Sequence, residues 1–275
     1  ASTAVEVRDI EPPVVGISAP RSGATVNGSG TLLAAEVQDA VSGVARVQWR
    51  RAGGSWRPME LSGNRYKASL ATLAEGNTRV EVRAVDGSGN TSAPVVRTLT
   101  VDNTDPAVVI DGVEGGRFYS DSVQPEVTVT DASELSIDRE LNGIGWSGDR
   151  VAVEGTHELM VEAVDAAGNR TEQSVLFTLD LTAPTIVVDE VSDGGLYNEA
   201  VMPVVSVDDA HPRDLRLILD GASYTEGTPI ASEGTHHLVI EAEDKAGNQS
   251  TRSLSFRIDT TPPAAPTVTN IDPGE

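Results

Sequence analysis

Aspartates recur at three matching points along this chain, and their spacing predicts sites for a hard cation. One aspartate lies in a proline-containing leading segment, a second follows 29 or 30 residues later, and a third opens a D-x-x-G-N motif that returns every 79 residues. Calcium takes about 6–8 oxygen ligands and prefers carboxylates. The three sets are Asp9, Asp39 and Asp86; Asp102, Asp131 and Asp165; and Asp180, Asp209 and Asp244.

Two further acids extend two of these sets. Glu11 follows Asp9, and Asp105 follows Asp102. The strongest candidate calcium site therefore combines Asp102 and Asp105 with Asp131 and Asp165. The alternative is that each aspartate only caps its own turn through its side chain, which needs no ligand.

Short strands with alternating apolar residues must position these acids. Leu159, Val161 and Ala163 fall on one face of such a strand, and the same pattern recurs 79 residues before and after it. About seven short strands per repeat, separated by turn residues, indicate an all-β chain of Ig-type β-sandwiches. In that sandwich the chain start, the loop between the second and third strands (the B–C loop) and the last hairpin (the F–G turn) share one pole. We therefore expect each aspartate set to converge there.

Proline-containing segments divide the chain into three tandem domains, because proline ends a strand ladder. We refer to residues 10–101, 102–180 and 181–260 as the first, middle and third repeats. Residues 1–9 are expected to form the last strand of a preceding domain or a tail, with Val5 and Val7 alternating. Residues 261–275 are expected to form a linker or the start of a following domain.

The first repeat has an extra aromatic and basic segment. Its interval from the second aspartate to the third is 47 residues, against 34 and 35 in the other repeats. Trp49 is predicted to be the core tryptophan of a central strand. The remaining side chains either form a ligand-binding face for a sugar or an anion or merely pack across a hairpin. That face would consist of Arg50, Trp56, Arg57 and Tyr66.

Charge and composition exclude several functional classes. The net charge is −22, and residues 1–101 contribute +2 while residues 102–275 contribute −24. Such an acidic surface repels nucleic acid and anionic membranes. The chain has no cysteine and no apolar run of about 18 residues, so we expect neither disulfides nor membrane insertion.

Histidine placement argues against catalysis. His157 and His236 occupy the same position in their repeats, after Glu-Gly-Thr, which favours a structural role. No zinc-binding spacing, phosphate-binding loop or nucleophile elbow is present. We therefore expect no enzymatic activity.

The sequence V-x-A-x-D-x-A-G-N, followed by D-x-T-x-P, carries a family resemblance. The segments 161–169 and 180–184 fit it closely, and the chain resembles tandem bacterial Ig-like domains, as in the repeat stalks of large surface adhesins. The first repeat departs from the pattern at Asp105 and at Arg97, where the other repeats are apolar, so its last strand is expected to begin later.

The resemblance implies a non-enzymatic stalk of a bacterial extracellular or cell-surface protein, stiffened by calcium between domains. Implied partners are neighbouring domains of a longer chain and a host-cell or matrix protein or glycan. The alternatives are a ligand-binding domain acting through the face that contains Trp56, and a spacer in a secreted hydrolase.

Overall fold

The computed structural model describes residues 8–267, and within that range it contains strands and turns but no helix. Two compact units are present. One comprises residues up to Ile110 together with Val127–Ser147 and Leu159–Ser174, and the other comprises Asp111–Glu126, Gly148–Glu158 and residues from Val175. The boundaries of the three domains stay a prediction. The flanking segments expected at residues 1–9 and 261–275 fall mostly outside the described residues, and their described parts, residues 8–9 and 261–267, are not in strands.

The first repeat folds into two antiparallel-rich sheets. One sheet has the strand order β1-β3-β7-β6 and the other β2-β9-β8-β4-β5. Its strands are β1 (Val14–Ala19), β2 (Thr25–Val26), β3 (Leu32–Gln38), β4 (Val44–Arg51), β5 (Arg57–Pro58), β6 (Glu60–Ser62), β7 (Arg65–Ser69), β8 (Gly76–Asp86) and β9 (Val95–Val101).

The middle repeat combines a two-stranded sheet, β10-β12, with a five-stranded sheet of order β11-β16-β15-β13-β14. Its strands are β10 (Ala107–Asp111), β11 (Phe118–Tyr119), β12 (Glu126–Thr130), β13 (Leu135–Leu141), β14 (Ile144–Gly145), β15 (Gly155–Asp165) and β16 (Arg170–Leu179).

The third repeat repeats this plan, with sheets β17-β19 and β18-β23-β22-β20-β21. Its strands are β17 (Thr185–Asp189), β18 (Leu196–Tyr197), β19 (Val204–Asp208), β20 (Pro212–Leu219), β21 (Ala222–Ser223), β22 (Gly234–Asp244) and β23 (Gln249–Ile258).

Strands β8, β15 and β22 organise the three cores. Each has 11 residues, begins with glycine and ends with the aspartate of the D-x-x-G-N motif. Alternate side chains are buried, as the sequence pattern predicts, and Leu238 and Ile240 are fully buried. Each such aliphatic side chain contributes about 1.5–3 kcal/mol through removal of its surface from water. The strand therefore fixes which of its residues face inward and which face solvent.

Two local predictions in the first repeat are confirmed. Trp49 and Val47 lie in the hydrophobic core, so β4 points Arg50 the other way. Strand β9 begins at Val95, five residues after Asn90, whereas β16 begins at Arg170, directly after Asn169. No helix of the described residues is long and apolar enough to cross a membrane.

Candidate metal centres

The structure brings each predicted aspartate set together. In every repeat, one carboxylate oxygen from the leading segment, one from the B–C loop and one from the end of β8, β15 or β22 lie within 4.8 Å of one another. The first and third members of each set are buried, and the second is half-buried. Three carboxylates held this closely repel one another, so each cluster is a local excess of negative charge.

Local turns hold the first cluster. Asp39 Oδ1 accepts hydrogen bonds from the backbone N–H groups of Val41, Ser42 and Gly43, at 3.2, 2.9 and 2.7 Å. Ser42 also donates from its backbone N and its Oγ to Asp9 Oδ2, at 3.1 and 2.5 Å. The B–C loop therefore closes on the leading segment through one serine.

The D-x-x-G-N motif forms a hairpin whose aspartate accepts backbone bonds, as predicted. Asp165 Oδ1 accepts from the N–H groups of Ala167 and Asn169, both at 2.8 Å. Gly168 has a φ of 87°, a left-handed conformation that glycine adopts without steric cost. One oxygen of each motif aspartate is thus committed to its turn.

The asparagine of the motif is a residue whose role the sequence analysis missed. Asn169 Nδ2 donates to the Asp102 carbonyl at 3.0 Å and to Asp165 Oδ2 at 2.6 Å. Asn90 and Asn248 make the equivalent bonds in the other repeats. This asparagine clasp ties the leading segment to the F–G turn. Its signal in the sequence was the asparagine's presence in all three motifs.

The third cluster contains a histidine that was not predicted to take part. His211 Nδ1 lies 2.7 Å from Asp180 Oδ2, and the His211 backbone N–H donates to Asp209 Oδ1 at 2.6 Å. Its ring packs edge-on against Phe118, with centroids 4.9 Å apart. Among the described residues, this is the single basic side chain within 4 Å of a cluster carboxylate.

Glu11 and Asp105 do not join the clusters. Both are exposed, and the groups of converging ligand atoms contain neither of them. The four-acid site expected around Asp105 is thus a three-acid cluster of Asp102, Asp131 and Asp165. Proline follows Asp105 directly and biases its backbone toward extended conformations.

Hydrogen bonding shifts the acidity of one cluster member. Burial raises the pKa of Asp86, but the side chain of Asn90 and the backbone N–H groups of Asn90, Gly89 and Ser88 outweigh it. The net pKa lies below the usual 3.8. The Asp86 carboxylate is therefore ionised, and available as a cation ligand, throughout the neutral range.

Comparison with known proteins identifies the domains that carry these clusters. Residues 13–84 match the family described as Bacterial Ig domain, and residues 219–260 match the family described as Bacterial Ig-like domain. The chain carries tandem bacterial Ig-like domains. No curated protein matches the sequence.

The chain also resembles solved structures, one of which shares its Ig-type fold with a TM-score above 0.5. The N-terminal eight Ig domains of Down Syndrome Cell Adhesion Molecule are 11% identical, with a TM-score of 0.57, over 90% of this chain and 37% of that chain. An I-band fragment of titin is 11% identical over 91% of this chain and all of its own, with a TM-score of 0.40. Fibronectin(III)-like modules of Clostridium thermocellum CbhA are 19% identical over 61% of this chain and 94% of theirs, with a TM-score of 0.37.

The proposed ligand-binding residues of the first Ig-like domain do not share one face. Trp56 lies against two guanidinium groups, with its ring centroid 4.3 Å from Arg50 Cζ and 4.2 Å from Arg83 Cζ. Arg57 lies 5.8 Å from the Trp49 ring. Tyr66 belongs to β7 in the other sheet, where it packs against the core. The expected four-residue face is therefore split between two sheets.

The two repeat-equivalent histidines are buried, in keeping with the structural role expected for them. His157 Nε2 lies 2.7 Å from the Val153 carbonyl, and its ring stacks at a tilt against Phe177. His236 makes the same contacts with Ser232 and Phe256, and its Nδ1 also lies 2.7 Å from Asp220 Oδ2. Both histidines therefore pack inside their domains, against the core phenylalanines.

Proposed function

We propose that the chain is a non-enzymatic spacer segment of a bacterial extracellular or cell-surface protein of the adhesin type. In this proposal, Ca²⁺ binds at the three aspartate clusters and stiffens the start of each repeat. Tandem bacterial Ig-like domains suit a structural role. The observation that carries the proposal is the convergence of three carboxylates, within 4.8 Å, in every repeat.

The donor set fits calcium. The three converging side chains of each cluster all offer carboxylate oxygens, which are the ligands of a hard cation, whereas zinc favours histidine and cysteine. In the first two clusters, within the described part of the chain, no lysine or arginine lies within 4 Å to offset the carboxylates. A bound cation would supply the missing positive charge.

A bound cation would increase rigidity because it would cross-link the segments that meet at each cluster. Each cluster joins the leading segment, the B–C loop and the F–G turn, which are otherwise linked by the asparagine clasp and a few turn bonds. At the second cluster the link extends further, because Asn27 Nδ2 donates to Asn169 Oδ1. A cation held there would therefore restrain the first and middle repeats together.

A thermal melt of Asp131→Asn, with and without calcium, tests the proposal. Asparagine keeps an oxygen that can accept the Ser133 bonds but loses the charge. For the wild type, about 10 mM calcium and a site dissociation constant of about 0.1–1 mM give about 1.4–2.7 kcal/mol of stabilisation, or several degrees. We expect the variant to melt no lower than wild type in chelator and to gain less from calcium.

Asp111→Asn is the matched control, since Asp111 is an exposed acid outside the clusters. It should behave as wild type in both conditions. Equal calcium shifts in wild type and Asp131→Asn, or no shift in either, would refute calcium binding at the second cluster and leave these aspartates as turn caps.

A further inference from the structure

The outer face of the β8 sheet in the first repeat is basic. Arg79 and Arg83 alternate with the buried Val80 and Val82, so they point away from the core. Arg50 on the neighbouring β4 faces the same way and forms an ion pair with Glu81 at 2.7 Å, so Arg79 and Arg83 carry the excess positive charge of this face. Trp56 lies against Arg50 and Arg83, so its ring is already in contact with protein cations. We call Arg50, Arg79 and Arg83 the arginine face.

The equivalent face of the middle repeat is acidic. Glu162 occupies the eighth position of β15, as Arg83 does in β8. Its cross-strand partner is Asp138, and Glu140 follows two residues further along β13. We call Asp138, Glu140 and Glu162 the acidic face. Both faces lie in the same compact unit of the chain.

The same cross-strand position can be compared in the three repeats, and it shows that the acidic face is incompletely neutralised. In the first repeat this position pairs Gln48 with Arg83, and Gln48 Oε1 accepts two guanidinium hydrogen bonds at 3.2 and 3.0 Å. In the third repeat the position pairs Arg216 with Glu241, and the guanidinium and carboxylate groups form an ion pair at 3.3 Å.

In the middle repeat the same position places two acids, Asp138 and Glu162, directly opposite each other. Like charges directly across a ladder are destabilising. Arg170 pairs with Glu162, but Asp138 is exposed and has no ion pair among the described residues. The middle repeat thus keeps an unpaired negative charge at a position where the first repeat has a hydrogen-bonded pair and the third repeat has an ion pair.

We propose that the arginine face of one chain docks on the acidic face of a second copy. The two faces occupy equivalent positions on the same kind of sheet and carry opposite charge, so each copy offers both halves of the contact. Complementary potentials mainly set orientation and association rate, so the association is expected to be weak and salt-sensitive. It does not depend on calcium in the aspartate clusters.

A charge-swap experiment tests this proposal by sedimentation velocity. The basic-face variant is Arg79→Glu with Arg83→Glu, and the acidic-face variant is Asp138→Lys with Glu140→Lys. Wild type should self-associate in about 50 mM salt and at least tenfold more weakly in about 500 mM, where the screening length falls to about 4 Å. Each variant alone should lose association, and an equimolar mixture of the two should regain it.

Controls separate docking from folding and from bulk charge. Arg21→Glu with Arg51→Glu makes the same charge change at two exposed arginines away from the arginine face and should associate as wild type. Each variant should still unfold cooperatively on heating, which shows that it is folded. Failure of the mixture to associate, or a wild type that is monomeric at both salt concentrations, would overturn the proposal. A monomer that binds polygalacturonate through Arg79 and Arg83 would assign that face to an acidic polysaccharide instead.

Discussion

At the scale of the residue, the asparagine clasp accounts for the last letter of the D-x-x-G-N motif. Asn248 Nδ2 donates to the Asp180 carbonyl and to Asp244 Oδ2, both at 2.7 Å. Asp244 is fully buried, so its oxygen has no access to water as an alternative donor. One amide group therefore satisfies two acceptors from different segments.

Asn248→Ala should lower the stability of the third repeat. The substitution leaves a buried charged acceptor without its donor, which costs about 1–3 kcal/mol. Scanning calorimetry in chelator measures the loss without interference from calcium. Asn198→Ala, an exposed asparagine in the same repeat, is the control and should change little. Equal melting of both variants would mean that the clasp contributes nothing.

The His236–Asp220 pair should make the third repeat sensitive to pH. Burial lowers the pKa of His236, but hydrogen bonds to the Ser232 carbonyl and Asp220, and the Asp220 charge, raise it above the usual 6.5. Burial raises the pKa of Asp220, but the His237 backbone bond and the His236 bond and charge bring it below 3.8.

The histidine's contribution is therefore complete below about pH 6.5 and is lost as pH rises through its folded pKa, while the aspartate's is lost as pH falls through its own. Asp220→Asn places the residue of the middle repeat, Asn142, at this position. It should cost most stability between about pH 4 and 6.5 and less above about pH 8. Urea titrations across that range test this, and a cost independent of pH would show that the charge is irrelevant.

At the scale of the element, the F–G hairpin depends on a left-handed glycine. Gly247 has a φ of 92°, and an added Cβ would meet no atom within 4 Å, so its substitution has a conformational cost alone. Gly247→Ala should destabilise the fold by about 1–2 kcal/mol, because L-residues are disfavoured in that conformation. Gly145→Ala, at an equally open position with ordinary φ, should be neutral. Chemical denaturation compares them, and a neutral Gly247→Ala would remove glycine geometry as the reason for the motif.

The sequence predicted the strands and their buried faces better than the contacts between side chains of distant segments. Alternating residues identified the buried faces of β8, β15 and β22, and fixed spacing predicted that the aspartates meet, because strand order in this fold brings three loops to one pole. Tyr66 was predicted to lie on the same face as Trp56 but belongs to β7 in the other sheet. The sequence pattern did not specify how the short strands between Trp56 and Tyr66 pair. His211 and Asn169 act across about 31 and 67 residues of chain, a pairing that local patterns do not encode.

At the scale of the whole molecule, charge is distributed by repeat. The first repeat is slightly basic, and residues 102–275 carry the large negative charge. The aspartate clusters nevertheless recur in all three repeats, including the basic one, so they do not result from overall acidity. This independence favours a cation-binding role over a merely solvated acidic surface.

Calcium titration by calorimetry tests that role most directly. If the clusters bind calcium, the wild-type chain should show saturable binding. Asp39→Asn/Asp131→Asn/Asp209→Asn removes one carboxylate charge from each cluster and should lose that binding. The comparison chain carries the same three-charge change at exposed acids outside the clusters, Asp111→Asn/Asp189→Asn/Asp214→Asn, and should bind as wild type does. Binding that persists in the cluster variant, or no binding by the wild type at millimolar calcium, would rule out the aspartate clusters as calcium sites.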